Sequence, residues 1–142
     1  DLRKKEPAPP RADPRLKGLR VLVADDDPGI CRTLKEILEG EGCVVATARD
    51  GAEALERIES SGSDLVLTDV VMPNMDGYEL YCALRDRHPE LPVLMMTAFH
   101  YDKDHIIKRS RMKGLEGVIF KKPDDPQRLR QVIGDVAGRS RS

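Results

Sequence analysis

Asp64-Leu65-Val66-Leu67-Thr68-Asp69 is an apolar run that ends in a carboxylate, and Val70-Val71-Met72-Pro73-Asn74-Met75-Asp76-Gly77 follows it. Upstream, Leu19-Arg20-Val21-Leu22-Val23-Ala24 runs in the same way into Asp25-Asp26-Asp27. Short, nearly continuous apolar runs of this kind read as strands buried on both faces, the signature of a parallel sheet. Two such strands deliver carboxylates to one rim, and open α/β sheets bind ligands outside the carboxyl ends of their strands, where strand order reverses. Acids gathered there raise one another's pKa unless a cation is present. The economical reading is a divalent metal site with one carboxylate left to do chemistry.

Outward from these two runs, strand-type and helix-type patterns alternate along the chain. Residues 21–24 form a strand, after which Asp27 is placed to cap a helix whose first turn holds Pro28. Ile30, Leu34, Ile37 and Leu38 recur at helical spacing, with Gly40 closing the helix. Residues 43–46 are a second strand. Asp50 caps a helix carrying Ala54, Leu55 and Ile58, which ends near Ser61-Gly62. Residues 65–68 are the third strand, and a third helix runs from Tyr78 to about Arg87 with Leu80, Tyr81 and Leu84 inward. Residues 93–96 and 118–120 are further strands, separated by a helix over about 102–113. Leu129, Val132, Ile133 and Val136 mark the last helix. The expectation is an α/β fold: a five-stranded, doubly wound parallel sheet with helices on both faces and right-handed crossovers.

The chain has 142 residues and a formal net charge of −1, so charge gives no global case for nucleic-acid or membrane binding. Pro7, Pro9, Pro10 and Pro14 stand among charges, so residues 1–17 read as a linker or tail. Residues 18–138 form the domain, and 139–142 are a short polar tail. Cys31, Cys43 and Cys82 lack metal-ligand spacing and read as buried free thiols of a reducing, cytoplasmic compartment. No apolar stretch approaches the ~20 residues of a membrane span.

Five residues fall at predicted strand ends: Asp25 and Asp26 together, then Asp69, Thr97 and Lys122. Mg²⁺ favours oxygen ligands and keeps several waters, so two carboxylates and a backbone carbonyl suit it. Phosphoryl transfer needs an attacking oxygen, charge neutralisation and a hydrogen-bond donor. Asp69, Lys122 with Mg²⁺, and Thr97 supply these in turn.

With these residues in order, the chain resembles the receiver domain of bacterial two-component response regulators. The resemblance runs from about Leu19 to Val136. It rests on Val21-Leu22-Val23-Ala24-Asp25-Asp26-Asp27-Pro28, on Asp69 through Gly77, on Met96-Thr97-Ala98 and on Lys122-Pro123. It implies a flavodoxin-like fold of sheet order 2-1-3-4-5. It also implies that Asp69 is the phosphoacceptor, with Asp25, Asp26, Asp69 and the Val71 carbonyl serving Mg²⁺. Thr97 would close on the phosphoryl oxygen and Lys122 would pair with the phosphate, across a cis Lys122-Pro123 bond. Such domains assist only their own phosphorylation and dephosphorylation and are not enzymes in the ordinary sense. The implied donor is a histidine kinase or a histidine phosphotransfer domain. The face of the helix over 102–113, the last strand and the last helix would meet an output domain or a second copy, with no nucleic acid or membrane contacted directly.

Two departures from that pattern stand out. Receivers usually carry Tyr or Phe three residues before the lysine, where this chain has Ile119, with Phe120 next to it. The spacing from Gly114 fits Lys121, whereas Pro123 favours Lys122. Val71 and Phe99, each two residues beyond a site residue, flank the path of a hydrolytic water in receivers, so apolar groups there predict slow loss of the phosphoryl group.

Plainer readings apply elsewhere. Asp27 and Asp50 serve as helix caps, and Asp76-Gly77 is turn chemistry. His100 and His105 lack ligand spacing, and His88 ends a helix. Lys103, Lys108, Arg109, Arg111 and Lys113 read as a solvated basic face. Two rival functions are a pseudo-receiver that is never phosphorylated and a Mg²⁺-dependent phosphohydrolase of the haloacid-dehalogenase kind. The second wants another Asp two residues after Asp69, where Val71 stands. The Pro-rich lead favours a receiver at the C-terminal end of a larger signalling protein, with a stand-alone regulator close behind and a receiver cut from ahead of an output domain third.

Overall fold

The computed structural model describes residues 14–97, 115–120 and 126–140. Strands β1 (Arg20–Ala24), β2 (Val44–Ala48), β3 (Leu65–Asp69) and β4 (Val93–Thr97) alternate with helices α1 (Pro28–Gly40), α2 (Gly51–Ser61) and α3 (Gly77–Arg87). Strand β5 (Leu115–Phe120) and helix α4 (Pro126–Ser140) complete the described elements. The helix expected over 102–113, the Lys122-Pro123 bond, His100 and His105 lie outside the described residues.

The strands pair in parallel in the order β2-β1-β3-β4-β5. Side chains alternate across the sheet, and each set meets a different helix pair. Val21, Val23, Leu65, Leu67, Leu94 and Met96 pack with Cys31, Leu34 and Leu38 of α1 and with Leu129, Ile133 and Val136 of α4. Leu22, Ala24, Val66, Val93 and Met95 pack with Ala54 and Ile58 of α2 and with Tyr78, Leu80, Tyr81 and Leu84 of α3. With helices on both faces every residue of β3 is buried, which is why that stretch reads as an unbroken apolar run.

The helix starts follow their caps. Asp27 accepts from the Gly29 and Ile30 amides at 2.8 and 3.4 Å with Pro28 in the first turn. Asp50 accepts from the Glu53 amide at 2.8 Å. Asp76 and Glu79 form a reciprocal capping box on α3, so Asp76 does more than turn the chain. At the end of α1, Gly42 and not Gly40 takes the left-handed conformation, at φ 95°. His88 caps the C-terminal end of α3 as expected.

Three expectations change. Cys82 is exposed, because it follows inward-facing Tyr81 by about 100° of helical turn and so faces outward; Cys31 and Cys43 are buried free thiols. Leu16, assigned by composition to the linker, is fully buried in the core beside α1 and α4. Gly18 donates to the Gly42 carbonyl at 2.8 Å and Arg15 pairs with Asp135 of α4 at 2.9 Å, so Leu16 and these two polar contacts together seat residues 15–18 on the domain. The last helix runs on to Ser140, two residues into the expected tail.

Candidate metal and phosphoacceptor site

In this sheet order the chain reverses between β1 and β3, so their carboxyl ends are neighbours. Asp25, Asp26 and Asp69 come together there, each offering a carboxylate oxygen within 4.8 Å of the others. Asp25 and Asp69 are buried and Asp26 is exposed. Three carboxylates at such a distance repel strongly in a low-dielectric setting, and a hard divalent cation relieves that repulsion. The donor set therefore fits Mg²⁺: all oxygen, partly buried, and open on the Asp26 side for water.

The β1 acids are ordered by their own turn and by β2, where the Ala48 carbonyl accepts from the Asp25 amide at 3.0 Å. The Asp27 amide donates to Asp25 Oδ1 at 2.9 Å, and the Cys31 thiol donates to the Asp25 backbone carbonyl at 3.3 Å. The turn that carries Asp25 and Asp26 is thus the N-terminal cap of α1.

Asp69 is placed by tertiary contacts. The Val70 amide donates to the Met96 carbonyl at 3.2 Å, and the Gly77 amide returns to the Val70 carbonyl at 2.9 Å. A Cβ at Gly77 would lie 2.3 Å from the Asp69 carbonyl oxygen, so glycine permits the close approach of α3 to the end of β3. Asn74 adopts φ 67°, and its side-chain amide donates to Asp50 Oδ2 at 2.8 Å, tying the loop to α2. Met72 is buried while Val71 is 56% exposed at the rim. The Asp50–Asn74 tie escaped sequence reasoning; its signal was an asparagine in a Pro-Asn turn, a residue that tolerates left-handed backbone.

The other expected residues are placed less fully. Thr97 ends β4, one residue beyond Met96, the register partner of Asp69. Across the next pair Thr97 is opposite Phe120 and Met96 opposite Ile119. Lys121, Lys122 and Phe99 lie outside the described residues.

The model of the response regulator receiver domain family matches residues 21–134. The chain belongs to that family. In sequence this receiver is 45% identical over 84 residues to the DNA-binding transcriptional regulator NtrC of Escherichia coli (strain K12), covering 59% of the chain and 18% of NtrC. Its fold is similar to a CheY-like receiver domain protein from Methanospirillum hungatei, with a TM-score of 0.78, 30% identity, and coverage of 88% and 98% of the two chains. It is similar also to the response regulator TrrA of Thermotoga maritima in complex with Mg²⁺-BeF, with a TM-score of 0.70, 30% identity, and coverage of 81% and 96%. The receiver spans less than half the length of the curated relatives it matches. Among the described residues, no helix is long and apolar enough to cross a membrane.

A concavity of about 460 Å³ opens beside Asp25 between α1 and α2, rimmed by Arg32, Lys35, Arg49 and Arg57. Glu53 holds Arg49 and Arg57 at 3.7 and 3.2 Å, so part of this positive charge is already answered within the cleft.

Proposed function

We propose that this receiver accepts a phosphoryl group on Asp69 from a histidine kinase or histidine phosphotransfer domain in a Mg²⁺-dependent reaction, and that the acyl phosphate shifts it between two conformations. The observation that carries this reading is the convergence of Asp25, Asp26 and Asp69 oxygens within 4.8 Å at the strand-order reversal, in a chain of the receiver family. Asp25, Asp26, Asp69 and the Val71 carbonyl would hold the cation, and the TrrA complex with Mg²⁺-BeF supports the choice of ion. When bound, Mg²⁺ supplies positive charge to the oxygens of the transferring phosphoryl group.

The chain's own residues do the rest. An oxygen of Asp69, held at the strand end by the Val70–Met96 and Gly77–Val70 bonds, attacks phosphorus. The P–N bond of the donor phosphohistidine breaks, its electron pair stays on the imidazole, and a mixed carboxylic–phosphoric anhydride forms on Asp69. Thr97 donates a hydrogen bond to a phosphoryl oxygen and Lys122 pairs with another. The new phosphate makes contacts in one conformation that it lacks in the other, and that difference shifts the population.

A cytoplasmic location follows from this donor chemistry. The output is read from the face expected to join the segment over 102–113, β5 and α4, by another domain or a second copy. NtrC is named a DNA-binding regulator, so the expectation that nothing here meets nucleic acid draws no support from that relative.

Intact-protein mass spectrometry after incubation with acetyl phosphate, with and without Mg²⁺ and beside Asp69→Ala, tests the reading. One added phosphoryl group that requires both Mg²⁺ and Asp69 is expected. An adduct that persists in Asp69→Ala or forms without Mg²⁺ would refute it, and complete absence of adduct and of Mg²⁺ binding would make the chain a pseudo-receiver.

A further inference from the structure

The loop between Asp69 and α3 is held at three points. Val70 is tied to β4 and to Gly77, Met72 is buried in the core, and Asn74 and Met75 are tied to the start of α2. The last tie has two strands. Asp50 Oδ2 accepts from the Asn74 side chain at 2.8 Å, and the Gly51 amide donates to the Met75 carbonyl at 2.9 Å. A Cβ at Gly51 would lie 2.7 Å from both Met75 Cγ and the Met75 carbonyl oxygen, so the contact is as close as backbone allows. Asp50 divides its two oxygens between tasks, Oδ1 capping α2 through the Glu53 amide and Oδ2 gripping the loop. Between fixed Val70 and fixed Asn74 only residues 71–73 remain, and Pro73 has its own φ restricted.

We propose that Asp50 and Asn74 are positioning residues of the metal site: their hydrogen bond holds the short segment that presents the Val71 carbonyl to the cation. Neither residue is a ligand. Asp50 acts through Asn74, and Asn74 through three residues of loop whose freedom it removes. The inference rests on the receiver reading of Asp25, Asp26 and Asp69 given above.

The test is Mg²⁺ affinity by calorimetry, with acetyl phosphate uptake alongside, on the parent, Asn74→Gly, Asp50→Ser and the double swap Asp50→Asn with Asn74→Asp. Glycine keeps the left-handed backbone and removes only the side chain, while serine keeps a cap oxygen on α2 and cannot reach the loop. The double swap keeps both the charge and the hydrogen bond, with donor and acceptor exchanged. Both single variants are expected to bind Mg²⁺ roughly tenfold more weakly, and the swap to stay within about twofold of the parent, in the range seen when outer partners of metal ligands are lost or kept. Single variants that melt earlier yet bind Mg²⁺ like the parent well below their midpoints would show a merely structural tie and overturn the proposal. A swap as weak as the singles would overturn the hydrogen bond as its agent. A parent that binds no Mg²⁺ would overturn the receiver reading itself, a result separate from either of these.

Discussion

Two turns bring acids to the same rim by different means. Only residues 25–27 separate β1 from α1, whereas residues 70–76 separate β3 from α3. In the shorter turn the helix cap and the clustered acids are consecutive, so the turn's own hydrogen bonds and one tie from the Asp25 amide to Ala48 of β2 order it. In the longer one the position of Asp69 and of Val71 depends on β4, on α2 and on a glycine contact with α3. The short turn combines its own cap with one backbone tie to β2, whereas the long one is held by β4, α2 and α3 together, so its precision is spread over more residues and more distant ones.

Glycine-to-alanine exchanges break that comparison most sharply. In Gly77→Ala the new methyl meets the Asp69 carbonyl oxygen at 2.3 Å and Val70 Cα at 3.0 Å, both backbone atoms that cannot step aside. A loss of about 3 kcal/mol is expected, at the upper end of overpacking costs, together with loss of phosphoryl uptake. In Gly29→Ala the methyl meets only Asp27 Oδ1, at 3.3 Å, and alanine is the better helix former. That variant should stay within about 1 kcal/mol of the parent. Urea unfolding of the two measures the difference, and equal losses would mean that the long turn is no more dependent on its surroundings than the short one.

A smaller effect is expected from the exposed part of the long loop. Val71, 56% exposed, and Phe99 stand two residues beyond Asp69 and Thr97, the apolar pair that the sequence expectation sets along the path of a hydrolytic water. Val71→Asn with Phe99→Glu should hasten loss of the phosphoryl group by about tenfold, equivalent to about 1.4 kcal/mol of barrier. Decay of the phosphorylated mass in each protein gives the rates. An unchanged rate would assign both side chains to ordinary loop packing.

The same contrast explains what was legible in the sequence. Asp25-Asp26-Asp27-Pro28 announces strand end, acids and cap within four residues, so local rules recover both fold and site there. The unbroken run 65–69 likewise betrays a strand covered on both faces. Contacts between distant segments leave no such trace. Asp50 reads as a cap, which it is, and nothing local says that its second oxygen reaches Asn74, 24 residues away. Leu16 stands alone among prolines and charges, and composition cannot show that the core has a place for it. Residue type alone makes Cys82 a buried thiol, whereas its phase relative to Tyr81 and Leu84 places it outside.

The smallest expected effect is a pH dependence of the clamp. The Asp50 carboxyl is held below its ordinary value, first by the Glu53 amide it accepts from and then by the Asn74 side chain. Glu53 is lowered too, chiefly by the Arg49 amide. A carboxylate whose folded pKa is depressed contributes stability that is present above its unfolded value, near 3.8 for Asp50, and is lost as pH falls through the folded value. Removing Asp50 should therefore matter at neutral pH and cease to matter in strong acid. Thermal midpoints of the parent and Asp50→Ser, followed from pH 6 down to about 2, should converge as the parent's carboxylate takes up its proton. Glu53 remains in both proteins, so its own titration cancels in the difference to the extent that the helix start stays capped. A gap that stays constant over the whole range would mean that the charge on Asp50 contributes nothing and that only the shape of the cap holds the long turn in place.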